Sequence, residues 1–365
     1  MHDTDAEKSV EYSQFKIMPL AILGIWSKHL LSLYFPTVAM IYFLTAPHVW
    51  YTSFLIVVLP ATLAVIIDRS GWEEIRQPHP DMPNWPFDLL IVVGAGFQFV
   101  NLSLFVIMVM DQGALNLDCV LGSLVMGISS AFSAITLSHE FIHRKSKLCQ
   151  WLGRMLLISV IYEHFYTEHL RGHHVRVATK EDPATAVRGE TFLHFYVRTV
   201  PAQFGSAWNL ERSRLGDPEM GIVDVRTLKN RVFHGLMAEL MLLVFIFSLI
   251  GPGGIILFLI QAIFASRTLE VVNYFEHWGL LRQHKQVSPE DSWDTYSWFT
   301  YYGLVGLTRH ADHHARPTQP YQQLRVMHES PKLPFGYVGM VPFVIFRNRR
   351  FLAMMETNLE AHLEQ

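Results

Sequence analysis

The chain of 365 residues is half hydrophobic and only 17% charged, with a formal net charge of −3. So neutral a total argues against nucleic-acid binding or a broad acidic docking face, and of the two options the length allows, two soluble domains or one membrane domain, the apolar content selects the second. Two cysteines, Cys119 and Cys149, with no CxxC pair, exclude an iron–sulfur or rubredoxin-like module within the chain, so any electrons must come from elsewhere.

The opening stretch, MHDTDAEKSVEYSQ, is polar and lacks the apolar run of a cleavable signal, so the apolar segments downstream are expected to persist. Six of these suit a hydrocarbon layer of roughly 30 Å: about 29–46, 50–67, 88–110, 115–137, 232–250 and 252–271. They fall into three pairs. The connections within pairs contain no Lys or Arg, whereas the long segments between pairs hold almost all of them. The positive-inside rule then predicts three helical hairpins inserted from one side, with the long segments and both termini in the cytoplasm. The expected architecture is an all-α integral membrane protein of one domain over residues 1–365. Its cytoplasmic helical cap is built from about 138–231 and 272–365. A large soluble helical protein is the alternative, but such a fold seldom keeps six long runs nearly free of charge. Near the end of the last run, Arg267 and Glu270 either mark where the helix leaves the lipid or stand beside an active site.

Nineteen histidines are present, and nine form four compact groups. HEFIH supplies His139 and His143; EHLRGHH supplies His169, His173 and His174; NYFEH supplies His277; HADHH supplies His310, His313 and His314. Residues four apart share a helix face, so His139 with His143, His169 with His173, and His310 with His314 are each predicted to address a common ion. His174 and His313, turned by about 100°, would reach a second ion. Nine imidazoles are too many for one metal and suit two, with coordination positions left for a small molecule. Imidazole donors favour iron, zinc, copper or nickel over magnesium and calcium. HExxH alone would also fit a zinc protease with Glu140 as general base, but that reading leaves seven histidines idle. Glu140, Glu168, Glu276 and Asp312 lie within the boxes and are candidates to orient imidazole N–H groups. His164 is off register and is expected in a supporting or core position. His29, His48, His79, His234, His284, His328 and His362 are read as ordinary satisfied polar side chains. Arg171, Arg176, Arg309, Arg316 and Arg325 would either greet an acidic electron carrier or serve topology and local ion pairs.

HEFIH, YEHFYTEHLRGHHVRVATKEDPATAVRGE, NYFEHWGLLR and RHADHHARPTQPYQQLR together resemble the membrane-bound alkane monooxygenases and the xylene monooxygenase hydroxylase component. More distantly they resemble the histidine-box desaturases and hydroxylases. The likeness is strong over roughly 135–345, and NYFEHWGL and GHHVRVAT are its most specific parts. It implies a non-haem di-iron centre with two iron ions, held by the nine histidines, that uses O₂ to hydroxylate an unactivated C–H bond in an alkane, alkyl chain or methyl-aromatic. It further implies a rubredoxin- or ferredoxin-type donor with its reductase, and a place in a bacterial inner membrane with the site on the cytoplasmic side. The lead-in DTYSWFTYYGLVGLTRH departs from the alkane enzymes and leaves the substrate open. Two alternatives stand beside this: a fatty-acyl desaturase or oxidative decarboxylase on the same metals, and a membrane metal-binding or transport protein without redox chemistry. Transport is disfavoured because the histidines gather beyond the helix ends rather than at the bilayer midplane.

Overall fold

A computed structural model describes residues 20–364, which form fifteen α-helices joined by 3₁₀ and π turns and loops, with no strands among them. The polar stretch at residues 1–14 lies outside the described residues. In chain order the helices are α1 (Leu20–His29), α2 (Tyr34–Thr45), α3 (Trp50–Asp68), α4 (Trp85–Gln112), α5 (Leu117–Ser130), α6 (Leu137–His143), α7 (Lys147–Ile158), α8 (Phe165–Glu168), α9 (His174–Arg176), α10 (Phe192–Arg214), α11 (Arg231–Glu276), α12 (Trp298–Gly303), α13 (His310–Ala315), α14 (Tyr337–Phe346) and α15 (Asn348–Leu363).

Among the described residues four helical stretches are long and apolar enough to cross a membrane: Trp50–Asp68, Trp85–Gln112, Leu117–His143 and Arg231–Glu276. The difference from six has two local causes. The first apolar run, 29–46, opens in a 3₁₀ turn at Leu30–Leu33, so only the 12 residues of α2 continue as α-helix. The fifth and sixth runs are continuous in α11, a helix of 46 residues interrupted where Gly251 takes φ 66° and ψ −170°, a conformation that Pro252 follows and that glycine tolerates without strain. Outward-facing Phe54, Leu59, Leu63 and Ile66 on α3, and Leu240, Val244, Phe247 and Ile256 on α11, are exposed apolar side chains suited to lipid. The chain is an integral membrane protein.

Polar groups stitch the bundle internally. Gln98 on α4 donates to Ser159 Oγ at 2.9 Å and accepts from Ser133 at 2.8 Å, while Ser130 donates to Gln261 on α11 at 3.0 Å. All are buried, and inside a bilayer such bonds across helices also fix their rotation. At one end of the bundle, Asp118 at the start of α5 accepts from the backbone N–H of His48 at 2.8 Å and from Ser53 Oγ at 2.5 Å. A side chain on Gly253 would lie 2.9 Å from Ala114. The three short connections, near residues 46–50, 111–116 and 250–253, therefore meet at this end. From there α5, the π turn at Ala131–Thr136 and α6 run on to His143, a span of 27 residues and about 40 Å.

Candidate metal centre

At the opposite end the nine box histidines converge. His139 and His143 stand on α6 and His310, His313 and His314 on α13. His277 caps the C-terminus of α11, His169 and His173 bound a π turn, and His174 opens α9 directly after it. Their donor atoms form two groups, each with all ligand atoms within 4.8 Å of one another: His139, His143, His169, His174 and His313 in the first, and His173, His277, His310 and His314 in the second. Eight are buried and His174 is partly so. The two groups share a wall, where the His174 and His314 rings stack with centroids 4.3 Å apart.

The partition differs from the expected one at His169 and His173, which fall in different groups although four residues apart. Residues 169–173 form a π turn, whose i→i+5 bonding brings residues five apart into line, so His169 is paired with His174 instead. The ordinary helices behave as predicted: His139 joins His143, His310 joins His314, and His313 is turned to the other group.

In seven of the nine rings nitrogen faces nitrogen. Nε2 of His143 is 2.9 Å from Nε2 of His169, which is 3.1 Å from that of His174, itself 3.2 Å from that of His313. In the second group His310 Nε2 is 3.2 Å from His277 Nε2 and 3.0 Å from His314 Nε2. His139 Nε2 and His173 Nε2 are buried with no partner at all. Nitrogen donors sharing an ion at 2.0–2.1 Å would be about 3 Å apart, so these separations would suit histidines holding a metal. Burial, and then the charge of neighbouring rings, pushes His169, His174, His310, His313 and His314 well below the ordinary imidazole range and brings His277 down to about 3. Neutral rings keep the lone pair a metal requires. The donor set thus fits two transition-metal ions.

Around this set, His173 Nδ1 lies 2.9 Å from Asp182 Oδ2, His277 Nδ1 lies 3.2 Å from the Asp291 carbonyl, and His310 Nδ1 lies 3.4 Å from Glu276 Oε1. Asp182 and Asp291 were not singled out in the sequence, although Asp182 belongs to the polar stretch that follows the second box. Of the carboxylates that were, only Glu276 meets an imidazole. Glu140 pairs with Arg144 at 2.6 Å, Glu168 with Arg176 at 2.6 Å, and Asp312 accepts from the Arg325 backbone at 2.8 Å and binds Arg316. Arg171 likewise binds Glu211 at 2.8 Å, and Arg309 stacks on Tyr301 and donates to backbone carbonyls. All five arginines near the boxes are engaged internally. His164 stays outside both groups, packed on Tyr162 and Phe204. His29 departs from the reading of a satisfied polar side chain: it is fully buried among Phe87, Tyr301, Tyr302 and Tyr321, with both ring nitrogens unpartnered.

A cavity of about 410 Å³ runs from the two groups into the bundle. His139, His169, His310 and Glu276 form its inner end; its walls include Phe35, Val65, Ile128, Ile135, Phe264 and Val341. Arg267 also lines it, while Glu270 is buried beside it, accepting from Tyr162 at 2.8 Å and from Gln203 at 3.0 Å. A volume of this size, apolar with a few convergent polar groups, is that of a small-molecule site.

The fatty acid desaturase sequence profile matches residues 116–344. The chain is 36% identical over 240 residues to alkane 1-monooxygenase 1 of Alcanivorax borkumensis, covering 64% of this chain and 58% of that protein. It is 38% identical over 227 residues to alkane 1-monooxygenase 1 of Pseudomonas aeruginosa, covering 60% and 58%. The xylene/toluene monooxygenase hydroxylase component of Pseudomonas putida is 24% identical over 218 residues, 58% of each chain. The match thus spans somewhat more than half the length of these relatives. With nine histidines converging where the profile matches, the chain belongs to the fatty acid desaturase family, and within it resembles the alkane and xylene monooxygenases.

Proposed function

We propose that the protein is a membrane-bound non-haem di-iron monooxygenase that inserts one atom of O₂ into an unactivated C–H bond of an apolar molecule, an alkane, alkyl chain or methyl-aromatic. The observation that carries this is the meeting of two all-nitrogen donor groups at the inner end of an apolar cavity inside the bundle. The nine box histidines would hold the two ions. Bound iron would supply the oxidising power that neither side chains nor water possess, with two electrons from a reduced rubredoxin- or ferredoxin-type carrier and its reductase.

The chain's own part is position and exclusion. Nε2 atoms form the donor sets, while Asp182 and the Asp291 carbonyl hold the opposite ring nitrogens of His173 and His277 and so their tautomers. Phe165, Ile135, Leu304 and Leu307 close the cavity around the reacting carbon and keep bulk water from it. Six crossings in three hairpins, within one domain, are supported by the gathering of the short connections at the end away from the histidines. The Lys- and Arg-rich cap then faces the cytoplasm, as expected of a bacterial inner-membrane enzyme.

Membranes supplied with a reductase system, ¹⁸O₂ and a panel of C6 to C16 alkanes, toluene and fatty acids test this. Labelled alcohol is the expected product. Unlabelled alkene would favour the desaturase or decarboxylase reading, and untouched substrates in the presence of bound metal would leave only a metal-binding role. Elemental analysis of the purified protein should find about two iron ions per chain, and a value of one or none after reconstitution counts against the two-metal centre.

A further inference from the structure

The arginines around the histidine boxes are engaged internally, but four others, carried by α3 and α15, are not. Arg69 follows the last residue of α3, and Arg347, Arg349 and Arg350 stand at the start of α15, directly after the apolar helix α14; all four are exposed. Among the described residues no carboxylate pairs with any of them, and the first turn of α15 contains no acidic side chain. Asp68, beside Arg69 in the chain, is turned away to Ser297, Thr300 and the Gly339 N–H. Folding brings Arg69 and Arg350 to one place. The Arg69 stem lies across α14 at Gly339, where a Cβ would be 2.7 Å from its Cγ. Its guanidinium sits 4.5 Å from the Phe335 ring and 4.9 Å from the Phe343 ring, and Arg350 is 5.7 Å from that same Phe343 ring. The rings fix where the guanidiniums stand but leave their N–H donors without an oxygen to bond.

Their place along the bundle says what they meet. α3 begins at a short connection away from the histidines and rises about 28 Å over its length, so Arg69 at its end stands at the lipid–water boundary. Ile66, Leu63 and Leu59 step back along α3 from Arg69 at helical spacing and are all exposed, as is Phe346 at the end of α14. An outward apolar stripe thus ends at unpaired guanidiniums on the level of the headgroups. We propose that Arg69 and Arg350 form a binding site for an anionic phospholipid, its phosphate against the two guanidiniums and an acyl chain along the stripe of α3. Guanidinium forks match phosphate oxygens, and Arg347 and Arg349 add to the attraction for a headgroup that carries no cation of its own. Val65 of α3 and Val341 of α14 line the cavity from within. A lipid held by Arg69 and Arg350 therefore clamps α3 to the α14–α15 junction across the outer side of the same wall. The site is independent of the chemistry proposed at the histidines. Arginines that serve only to orient the chain in the membrane would draw anionic lipid as bulk charge, without a site, and the experiment separates the two.

The full chain is placed in phosphatidylcholine nanodiscs carrying a minor fraction of phosphatidylglycerol, and the lipids that stay with it are counted by native mass spectrometry. The parent should retain phosphatidylglycerol in preference to phosphatidylcholine by about tenfold or more, and phosphatidylglycerol should raise its unfolding temperature. Arg69→Gln and Arg350→Gln should each lower that retention by about tenfold, and Arg69→Lys by less. Arg188→Gln, which removes an exposed guanidinium already paired with Glu356, should leave it unchanged. The variants should unfold at the parent's temperature in pure phosphatidylcholine, which shows that they are folded. Should Arg69→Gln fail to insert, Arg350→Gln, outside the membrane-spanning helices, carries the same test. Parental retention of phosphatidylglycerol by the chain bearing both Arg69→Gln and Arg350→Gln overturns the site. So does an equal loss from Arg188→Gln, since bulk charge then accounts for the attraction. Displacement of the lipid by millimolar inorganic phosphate would assign the arginines to a free anion, and the proposal falls.

Discussion

Nδ1 of His173 stands 2.9 Å from Oδ2 of Asp182, and neither is accessible to solvent. Thr185 donates to the same carboxylate oxygen at 2.7 Å, and the Ala184 N–H donates to the other at 3.2 Å. Burial opposes ionisation of Asp182, yet His173 and these donors hold its carboxyl below the usual range. An ionised acceptor there places the His173 proton on Nδ1 and frees Nε2 for the second donor group. Asp182→Asn preserves shape but removes the charge, and should lower metal retention by about 10- to 100-fold. Iron remaining after dialysis against graded chelator concentrations measures this. Retention equal to the parent would remove Asp182 from the support of the centre.

The register of the second histidine box depends on Gly172. A Cβ there would collide with Glu168 and with the Arg176 guanidinium that pairs with it, on the inner side of the π turn. Gly172→Ala should therefore break that ion pair or straighten the turn into an α-helix, which would return His173 to the face of His169 and deprive the first group of His174. The expected cost is about 1–3 kcal/mol of stability with loss of bound metal. Gly205→Ala on α10, where a methyl group meets nothing within 4 Å, should be neutral or slightly stabilising. Thermal unfolding and metal content of the pair decide it, and matching behaviour would refute the role assigned to Gly172.

Why the sequence revealed some of this and hid the rest is visible at individual residues. His139 with His143 and His310 with His314 lie on short ordinary helices, so the 3.6-residue period alone predicted their partnership. His169 and His173 lie on a π turn, which leaves no 3.6-residue signature in the sequence, so their grouping differs from the one the helical period predicts. The long apolar runs were legible as spans because composition suffices there. The 3₁₀ turn at Leu30–Leu33 was not, since LLSL is as apolar as the helix that follows it. Carboxylates beside the boxes were visible but their partners were not. Glu140, Glu168 and Asp312 are claimed by arginines, whereas Asp182 reaches back across nine residues to an imidazole.

The cavity limits what can reach the metals. Ile128 lines it on α5, eleven residues before His139, which places it about 16 Å from the inner end. Ile128→Trp should fill that remote part, so the longest chain oxidised becomes shorter while metal content stays the same. Product profiles across C6 to C16 substrates provide the measurement. An unchanged chain-length limit, with the variant folded and loaded, would mean the substrate does not occupy this volume.

The two donor groups differ in how they are anchored, and this gives a test of the proposed ligands. His277 is fully buried at the C-terminal cap of α11, its Nδ1 fixed by the Asp291 carbonyl and its Nε2 3.2 Å from that of His310. It belongs to the four-membered group alone, whereas the other group keeps five donors without it. His277→Ala should thus release the ion of the second group and retain that of the first, lowering iron from about two per chain towards about one and abolishing oxidation. Membrane insertion should persist, because the apolar surface of α11 is untouched. Elemental analysis with a membrane-fractionation assay reads both quantities. Full activity or undiminished iron in this variant would take His277 out of the ligand set, and loss of both ions would show that the groups bind metal as one unit rather than as two.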